Sequence, residues 1–189
     1  FENAAFFDAH SYPATTALLK TIIGIGWDVV QYFKERIGRV RPSVLDPSIA
    51  PIIRVPGFAA YPSGHATQSQ LVAQALIEII PSQVIDRQPF DEKDETLRQR
   101  LDKLAKQIAR NREIAGVHYK TDSISGQTLA KHIWQLLNTG KMSGAPKVKF
   151  DNVNFGNLIA KARAEWPASR DSGFVGDVRR DISFIKNHK

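Results

Sequence analysis

Residues 97–122 read LRQRLDKLAKQIARNREIAGVHYKTD, and the fold class turns on their spacing. Leu97, Leu101, Leu104 and Ile108 recur at steps of three and four, the period of a helix and not the two-residue alternation of a strand. The spacing predicts a helix from about Asp94 to Ala115 with those four side chains as its buried stripe. The next member of the series is Arg112, a guanidinium where a leucine would continue the core. A charge buried without a partner is costly, so a fixed counter-charge or a bound anion is expected beside it. Beyond the helix, His118 and Asp122 stand four residues apart at a loop-to-helix entry. That spacing lets a carboxylate reach the histidine Nδ1–H, which fixes the tautomer and exposes Nε2 as a nucleophile.

Outward from this stretch the pattern stays helical. Leu18, Ile22, Ile25, Val29 and Phe33 place one apolar stripe along a helix from about Ala14 to Ile37, ended by Gly38. Five prolines between residues 42 and 62 forbid a continuous helix there and predict a long ordered loop, a kind of segment that often carries function. A second helix is expected from about Gly64 to Ile80, stopped by Pro81, with Val72, Leu76 and Ile79 inward. A fourth is expected from about Thr121 to Leu137, with Ile124, Ile133 and Leu137 on its apolar side. Residues 140–149 read as a Gly/Lys/Pro linker, Phe155 to Trp166 as one short amphipathic helix, and the rest as an irregular basic end. With no repeats and no strands beyond short pieces, the class is all-α.

At 189 residues with 42% hydrophobic content, the chain can bury a sizeable core. One principal domain is expected: a core over 1–140, and a basic C-terminal extension over 141–189 that packs on the core or on a partner. The absence of cysteine removes disulfides and thiolate catalysis. The most apolar segment, Leu18 to Phe33, contains Lys20, Asp28 and two glycines and falls short of a membrane span, so a soluble chain is expected. Opening on Phe1 without a basic-then-apolar leader, it reads as a processed product or an excised fragment. The net charge of +7 is unevenly placed: residues 1–140 hold 16 Lys/Arg against 14 Asp/Glu, and 141–189 hold 10 against 5. A solvated basic tail is the plain reading. A nucleic-acid-binding module would leave the charged clusters of the core unexplained, so no nucleic-acid partner is expected.

Those clusters are three: Lys34, six residues, then Arg41-Pro42; Pro62-Ser63-Gly64-His65; and Arg112, five residues, His118, three residues, Asp122. Ser63-Gly64-His65 opens the second helix, where free backbone N–H groups and the positive dipole end favour an anion. Lys34, Arg41 and Arg112 would supply balancing charge from three segments. His65 is left for proton transfer, since an ordinary histidine titrates near neutrality. Each piece also has a plainer use: Lys34 as a solvated side chain, Ser63 and Asp122 as helix caps. His10, His132 and His188 belong to no cluster and read as surface or core residues.

In order and content the clusters resemble the three-part signature of the type 2 phosphatidic acid phosphatase and vanadium haloperoxidase superfamily, over Lys34 to Asp122. One departure is Asn111, where the family usually has serine. The resemblance implies a helical bundle with the oxyanion site at helix ends. Lys34, Arg41 and Arg112 would bind the equatorial oxygens, and Ser63 and the Gly64 N–H would complete the cradle. His118 would attack phosphorus, Asp122 would orient it, and His65 would protonate the leaving alkoxide before activating water.

Two chemistries remain open within that resemblance. One is an acid phosphatase-like soluble phosphomonoesterase, working through a phosphohistidine on a small soluble phosphoester without a metal or other cofactor. The other is a haloperoxidase, with vanadate as cofactor and His118 as its axial ligand, oxidising halide with hydrogen peroxide. Gly116-Val117-His118-Tyr119 looks like the soluble bacterial acid phosphatases, whereas Ala66-Thr67-Gln68 after His65 looks like some haloperoxidases. Family analogy favours a periplasmic or secreted protein, and a homo-oligomer would give the tail somewhere to pack.

Overall fold

The computed structural model describes residues 9–87, 95–141 and 152–166. Seven helices follow in order among these residues, with no β-strand, so the fold is all-α: α1 (Pro13–Ile37), α2 (Pro42–Leu45), α3 (Gly64–Ile79), α4 (Ser82–Ile85), α5 (Leu97–Ile114), α6 (Lys120–Thr139) and α7 (Val153–Ala164). The proline-rich segment after α1 holds one helical turn, α2, and is otherwise irregular up to Ser63. Helix α3 is the central post, packed against α1, α5, α6 and α7.

The buried faces are rotated from those the spacing predicts. On α1 the buried residues are Thr15, Leu18, Ile22, Gly26, Val30 and Lys34, while Ile25, Val29 and Phe33 only flank this line. Gly26 explains the rotation. A Cβ there would stand 2.8 Å from Leu71 Cδ1, so α1 and α3 cross where the side chain is missing. On α3, Ile79 is buried as expected, but Val72 and Leu76 are half-exposed, and Leu71, Ala73 and Ala75 take the inner places. Small residues let the neighbouring helices come close on several sides. Ser69 Oγ, for instance, donates to the Ala105 carbonyl of α5 at 3.3 Å.

Helix α5 begins at Leu97 behind a capping box. Thr96 Oγ1 accepts from Gln99 N at 3.3 Å, and Gln99 Oε1 accepts from Thr96 N at 2.8 Å. The earlier start at Asp94 lies outside the described residues. The expected leucine stripe is corrected: Leu97 and Leu104 are 38% and 57% exposed, Leu101 and Ile108 are half-buried, and only Ala105 and Ala109 are buried. Close approach to α3 selects alanine, and the larger side chains are displaced to the margins of the contact. On α6, Ile133 and Leu137 are buried, whereas Ile124 is 52% exposed.

Helix α7 packs on α1 and α3 and puts Phe155, Ile159 and Ala162 into the same apolar cluster as Leu18, Ile22, Leu71, Ile79 and Leu137. Glu165 then caps α1, its two oxygens accepting from Ala14 N at 2.6 Å and Thr15 N at 2.8 Å. Of the basic extension, residues 142–151 and 167–189, including His188, lie outside the described residues. No helix among the described residues is long and apolar enough to cross a membrane.

Candidate active site

Four helix ends meet on one side of the molecule: the C-termini of α1 and α5 and the N-termini of α3 and α6. The charged residues at these ends are continuations of the buried stripes. Lys34, 2% exposed, is the last buried residue of α1, and Asp122, fully buried, is the first of α6.

His118 is held from both sides of its ring. Nδ1 lies 3.1 Å from Asp122 Oδ2, and Nε2 lies 3.1 Å from Arg41 Nη1. A guanidinium can only donate, so Nε2 is the acceptor and Nδ1 carries the proton shared with the carboxylate. Arg41, 4% exposed, is fixed by two carbonyls: Nε donates to Phe58 O at 3.1 Å and Nη1 to Val117 O at 2.7 Å. The Nε2 lone pair therefore points at a fixed cation. Burial pushes the His118 pKa down, the Asp122 hydrogen bond opposes this, and Arg41 and Lys34 add to the lowering.

Asp122 serves its own helix and the histidine together. Oδ2 also accepts the Tyr119 N–H at 2.9 Å, which caps α6, and Oδ1 accepts from Arg39 Nη1 at 2.8 Å. Burial alone would raise its pKa, but the His118 and Tyr119 hydrogen bonds and the Arg39 charge hold it below the usual carboxylate range. Lys34 Nζ donates to Ala59 O at 2.6 Å and Ala60 O at 3.0 Å. Its pKa is lowered to about 8, by burial first and then by Arg41. The Phe58 ring lies near both cations, 5.3 Å from Lys34 Nζ and 5.5 Å from Arg41 Cζ, within cation–π range.

Ser63 is the N-cap of α3, its Oγ accepting from Ala66 N at a long 3.4 Å, and Gly64 is the first residue of the helix. The Ser63 N–H is donated to the Asp122 carbonyl at 3.0 Å, which ties the start of α3 to the start of α6. That contact needs Gly126, where a Cβ would lie 2.5 Å from Ser63 O. His65 follows on the exposed first turn. Its pKa is lowered by partial burial of the ring, then by Arg112, His118, Arg41 and Lys34. An apolar groove of about 280 Å³ runs from His65 between α1, α3 and α5, lined by Ile23, Val72, Leu101, Leu104 and Ile108.

Arg112 sits half-buried in the last turn of α5. Its Nε is buried with no partner among the described residues, and so is Nη2 of Arg41. Orphaned buried donors are rare because each forfeits a hydrogen bond to water. Two of them, on guanidinium groups from different segments, fit an acceptor that comes from outside the chain. A tetrahedral oxyanion, phosphate or vanadate, has oxygens to satisfy both. The turn from α5 to His118 passes through Gly116 at φ +74°, packed so tightly that a Cβ would lie 3.0 Å from Ile49 Cγ2.

All eight residues proposed from the sequence thus lie at these helix ends. His10 and His132 take no part, and His132 lines a separate cleft with Phe33 and Tyr61. Among the described residues, no group of three or more His, Cys, Asp or Glu could hold a metal ion. Three contributors were not visible in the sequence: Arg39, Phe58 and Gly126. Only Gly126 left a signal, as an isolated glycine inside a helical pattern.

Among solved structures the chain is similar to the first transmembrane PAP2 type phosphatidylglycerolphosphate phosphatase from Bacillus subtilis, with 25% sequence identity and a TM-score of 0.42. The match covers 60% of this chain and 52% of that one, so the chain spans about half the length of that structure. No family model and no curated protein matches the chain.

Proposed function

We propose that this protein is a phosphomonoesterase that works through a phosphohistidine on His118. The observation that carries the reading is the His118 ring held between Asp122 and Arg41, beside two buried guanidinium donors that have no acceptor among the described residues. In the first step Nε2 bonds to phosphorus as the ester P–O bond breaks. The bonding pair leaves with the alkoxide oxygen, which takes a proton from His65. In the second step His65 removes a proton from water, the water oxygen bonds to phosphorus, and the N–P pair returns to Nε2. Inorganic phosphate departs.

Between these steps Asp122 stabilises the positive charge on the imidazole, and Arg41, Arg112 and Lys34 hold the phosphoryl oxygens. Partial burial of the ring, and then the surrounding cations, lower the His65 pKa in the empty site. A phosphate dianion in the cradle offsets them and favours the protonated form that the first step needs. The leaving group lies on the His65 side, where the apolar groove begins, so a soluble phosphoester with a short alkyl or aryl group suits the site.

The haloperoxidase alternative draws on the same donors, with vanadate seated where phosphate would be, and no separate observation favours it. The test is hydrolysis of p-nitrophenyl phosphate with and without orthovanadate, beside a peroxide-and-bromide assay on the vanadate-treated protein. Turnover blocked by vanadate without bromination is the expected result. Absence of turnover in a protein that binds phosphate would sink the hydrolase, and bromination would replace it with the haloperoxidase.

A further inference from the structure

Arg39 lies outside the three clusters, yet its side chain is bound to the start of α6. Nη1 donates to Asp122 Oδ1 at 2.8 Å and to Thr121 Oγ1 at 2.7 Å, and Cζ stands 4.1 Å over the Tyr119 ring. Its own carbonyl accepts the Ala60 N–H at 2.8 Å, which fixes the backbone from which the side chain reaches. Gly38, at φ +61°, ends α1 and turns the chain so that Arg39 points across the helix end. The guanidinium is thus clamped by a hydroxyl, a carboxylate and an aromatic face within four consecutive residues of α6 and its cap.

The carboxylate it meets is the one that orients His118. Asp122 is fully buried, while the Arg39 side chain is 35% exposed. An ion pair between two exposed groups would matter little. This one ends on an oxygen that no solvent reaches, and removing the arginine leaves that oxygen without its donor. The two carboxylate oxygens are divided: Oδ2 serves Nδ1 of His118 and the Tyr119 N–H, and Oδ1 serves Arg39. A carboxylate with one oxygen unclaimed can rotate about its Cβ–Cγ bond or draw in water, and either change loosens the ring it holds.

We propose that Arg39 is a positioning residue for His118: by claiming Oδ1 it locks the Asp122 carboxylate with Oδ2 toward Nδ1, and so keeps the Nε2 lone pair aimed at the oxyanion cradle. This rests on the reading of His118 as the nucleophile. Arg39 itself does not touch the substrate, because the cradle is formed by Lys34, Arg41, Arg112 and the start of α3.

The test compares wild type, Arg39→Ala and Arg39→Lys as full chains. For Arg39→Ala, kcat on p-nitrophenyl phosphate falls roughly 10- to 100-fold, the range for losing an outer partner of a site histidine, while the inhibition constant of inorganic phosphate changes by less than about threefold. Millimolar guanidinium restores part of the rate to Arg39→Ala and none to wild type, and Arg39→Lys, which keeps the charge and one donor, recovers part of it. Long-range 1H–15N spectra give a readout that does not need turnover. Neutral His118 is a single Nδ1–H tautomer in wild type, and an Nε2–H population appears in Arg39→Ala.

An unchanged tautomer and kcat in a folded Arg39→Ala protein would overturn the proposal. Equal loss of turnover and of phosphate binding without guanidinium rescue would overturn it too, by showing a merely structural role. If wild type binds phosphate without hydrolysing it, the hydrolase reading fails, and the spectra still decide the part played by Arg39. Should Arg39→Ala not fold, Arg39→Lys carries the same spectral comparison, and a wild-type tautomer ratio with wild-type kcat there would count against a role for the planar guanidinium.

Discussion

At one end of the bundle α1, α3, α6 and α7 meet through Leu18, Ile22, Ile79, Leu137 and Phe155; at the other, α1, α3 and α6 meet α5 through Lys34, Ser63, Arg112 and Asp122. The helices run between the two ends without a break, and the buried stripe of α1 passes from Leu18 to Lys34 at an unchanged four-residue step. The apolar end is closed by packing, with Phe155, Ile159 and Ala162 of α7 joining Leu18, Ile22, Ile79 and Leu137 in one buried cluster. The charged end instead gathers cations, and among the described residues Arg41 Nη2 and Arg112 Nε there are buried without acceptors. Apolar burial and the proposed site are thereby separated along one set of helices, and the orphaned guanidinium donors belong to the charged end.

If that separation is real, substitutions at the two ends should affect different measurements. The largest effect is expected from His118→Ala, which should lower kcat on the order of 10⁴-fold or more by removing the nucleophile of a coupled group, with an unfolding midpoint close to wild type. Activity retained in that variant would break the proposed mechanism. Ile79→Ala, at the apolar end, should destabilise by about 2–5 kcal/mol through lost burial and the cavity left behind, while kcat measured well below the midpoint stays unchanged. Urea titration beside initial rates separates the two, and a large rate loss in Ile79→Ala would show the ends to be coupled.

Gly126→Ala sharpens the comparison, because the glycine lies at the charged end in a contact that also packs α6 on α3. The added methyl would meet Ser63 O at 2.5 Å and Ala66 Cβ at 3.0 Å, so α6 must move away from the start of α3. The expected cost is about 1–3 kcal/mol, as for other overpacked sites. It should appear in both measurements, because the Ser63 N–H bond to the Asp122 carbonyl crosses the same gap. Loss of stability with unchanged kcat would mean that the α3 start and His118 are positioned independently.

How far the sequence could be read follows the same division. Helix boundaries set by glycine and proline were legible where Gly38 ends α1 with positive φ and Pro81 closes α3, whereas α6 runs past the expected Leu137 to Thr139, before Gly140. The charged clusters were legible because their residue types are unusual at their spacing. Buried faces were less so, because several side chains of similar hydropathy compete for each stripe. The winner depends on how closely a neighbour approaches, as Gly26 shows on α1 and Ala105 and Ala109 show on α5. The place of Lys34 in line with the α1 core was missed for the same reason, and the leucine stripe that Arg112 was read as continuing is not the buried face of α5. Arg39 and Phe58 act only through contacts between distant segments, and no local pattern marks them.

The smallest effect concerns Lys34, and it tests whether the charged end binds through charge. Burial and the neighbouring Arg41 bring its pKa down to about 8. A lysine with a lowered pKa is charged below that value and neutral above it, so the cradle loses one positive charge as pH rises through about 8. Sulfate is a suitable probe because its own charge is constant over this range. Its inhibition constant should weaken roughly tenfold between pH 7 and pH 9.5, the loss of one charge-assisted hydrogen bond. Lys34→Met should bind sulfate weakly throughout, with this pH step absent. The Arg41 and Arg112 guanidinium groups stay charged over the same interval, so a step that survives in Lys34→Met would have to come from another group. That outcome would remove Lys34 from the cradle and leave it as a structural donor to the Ala59 and Ala60 carbonyls.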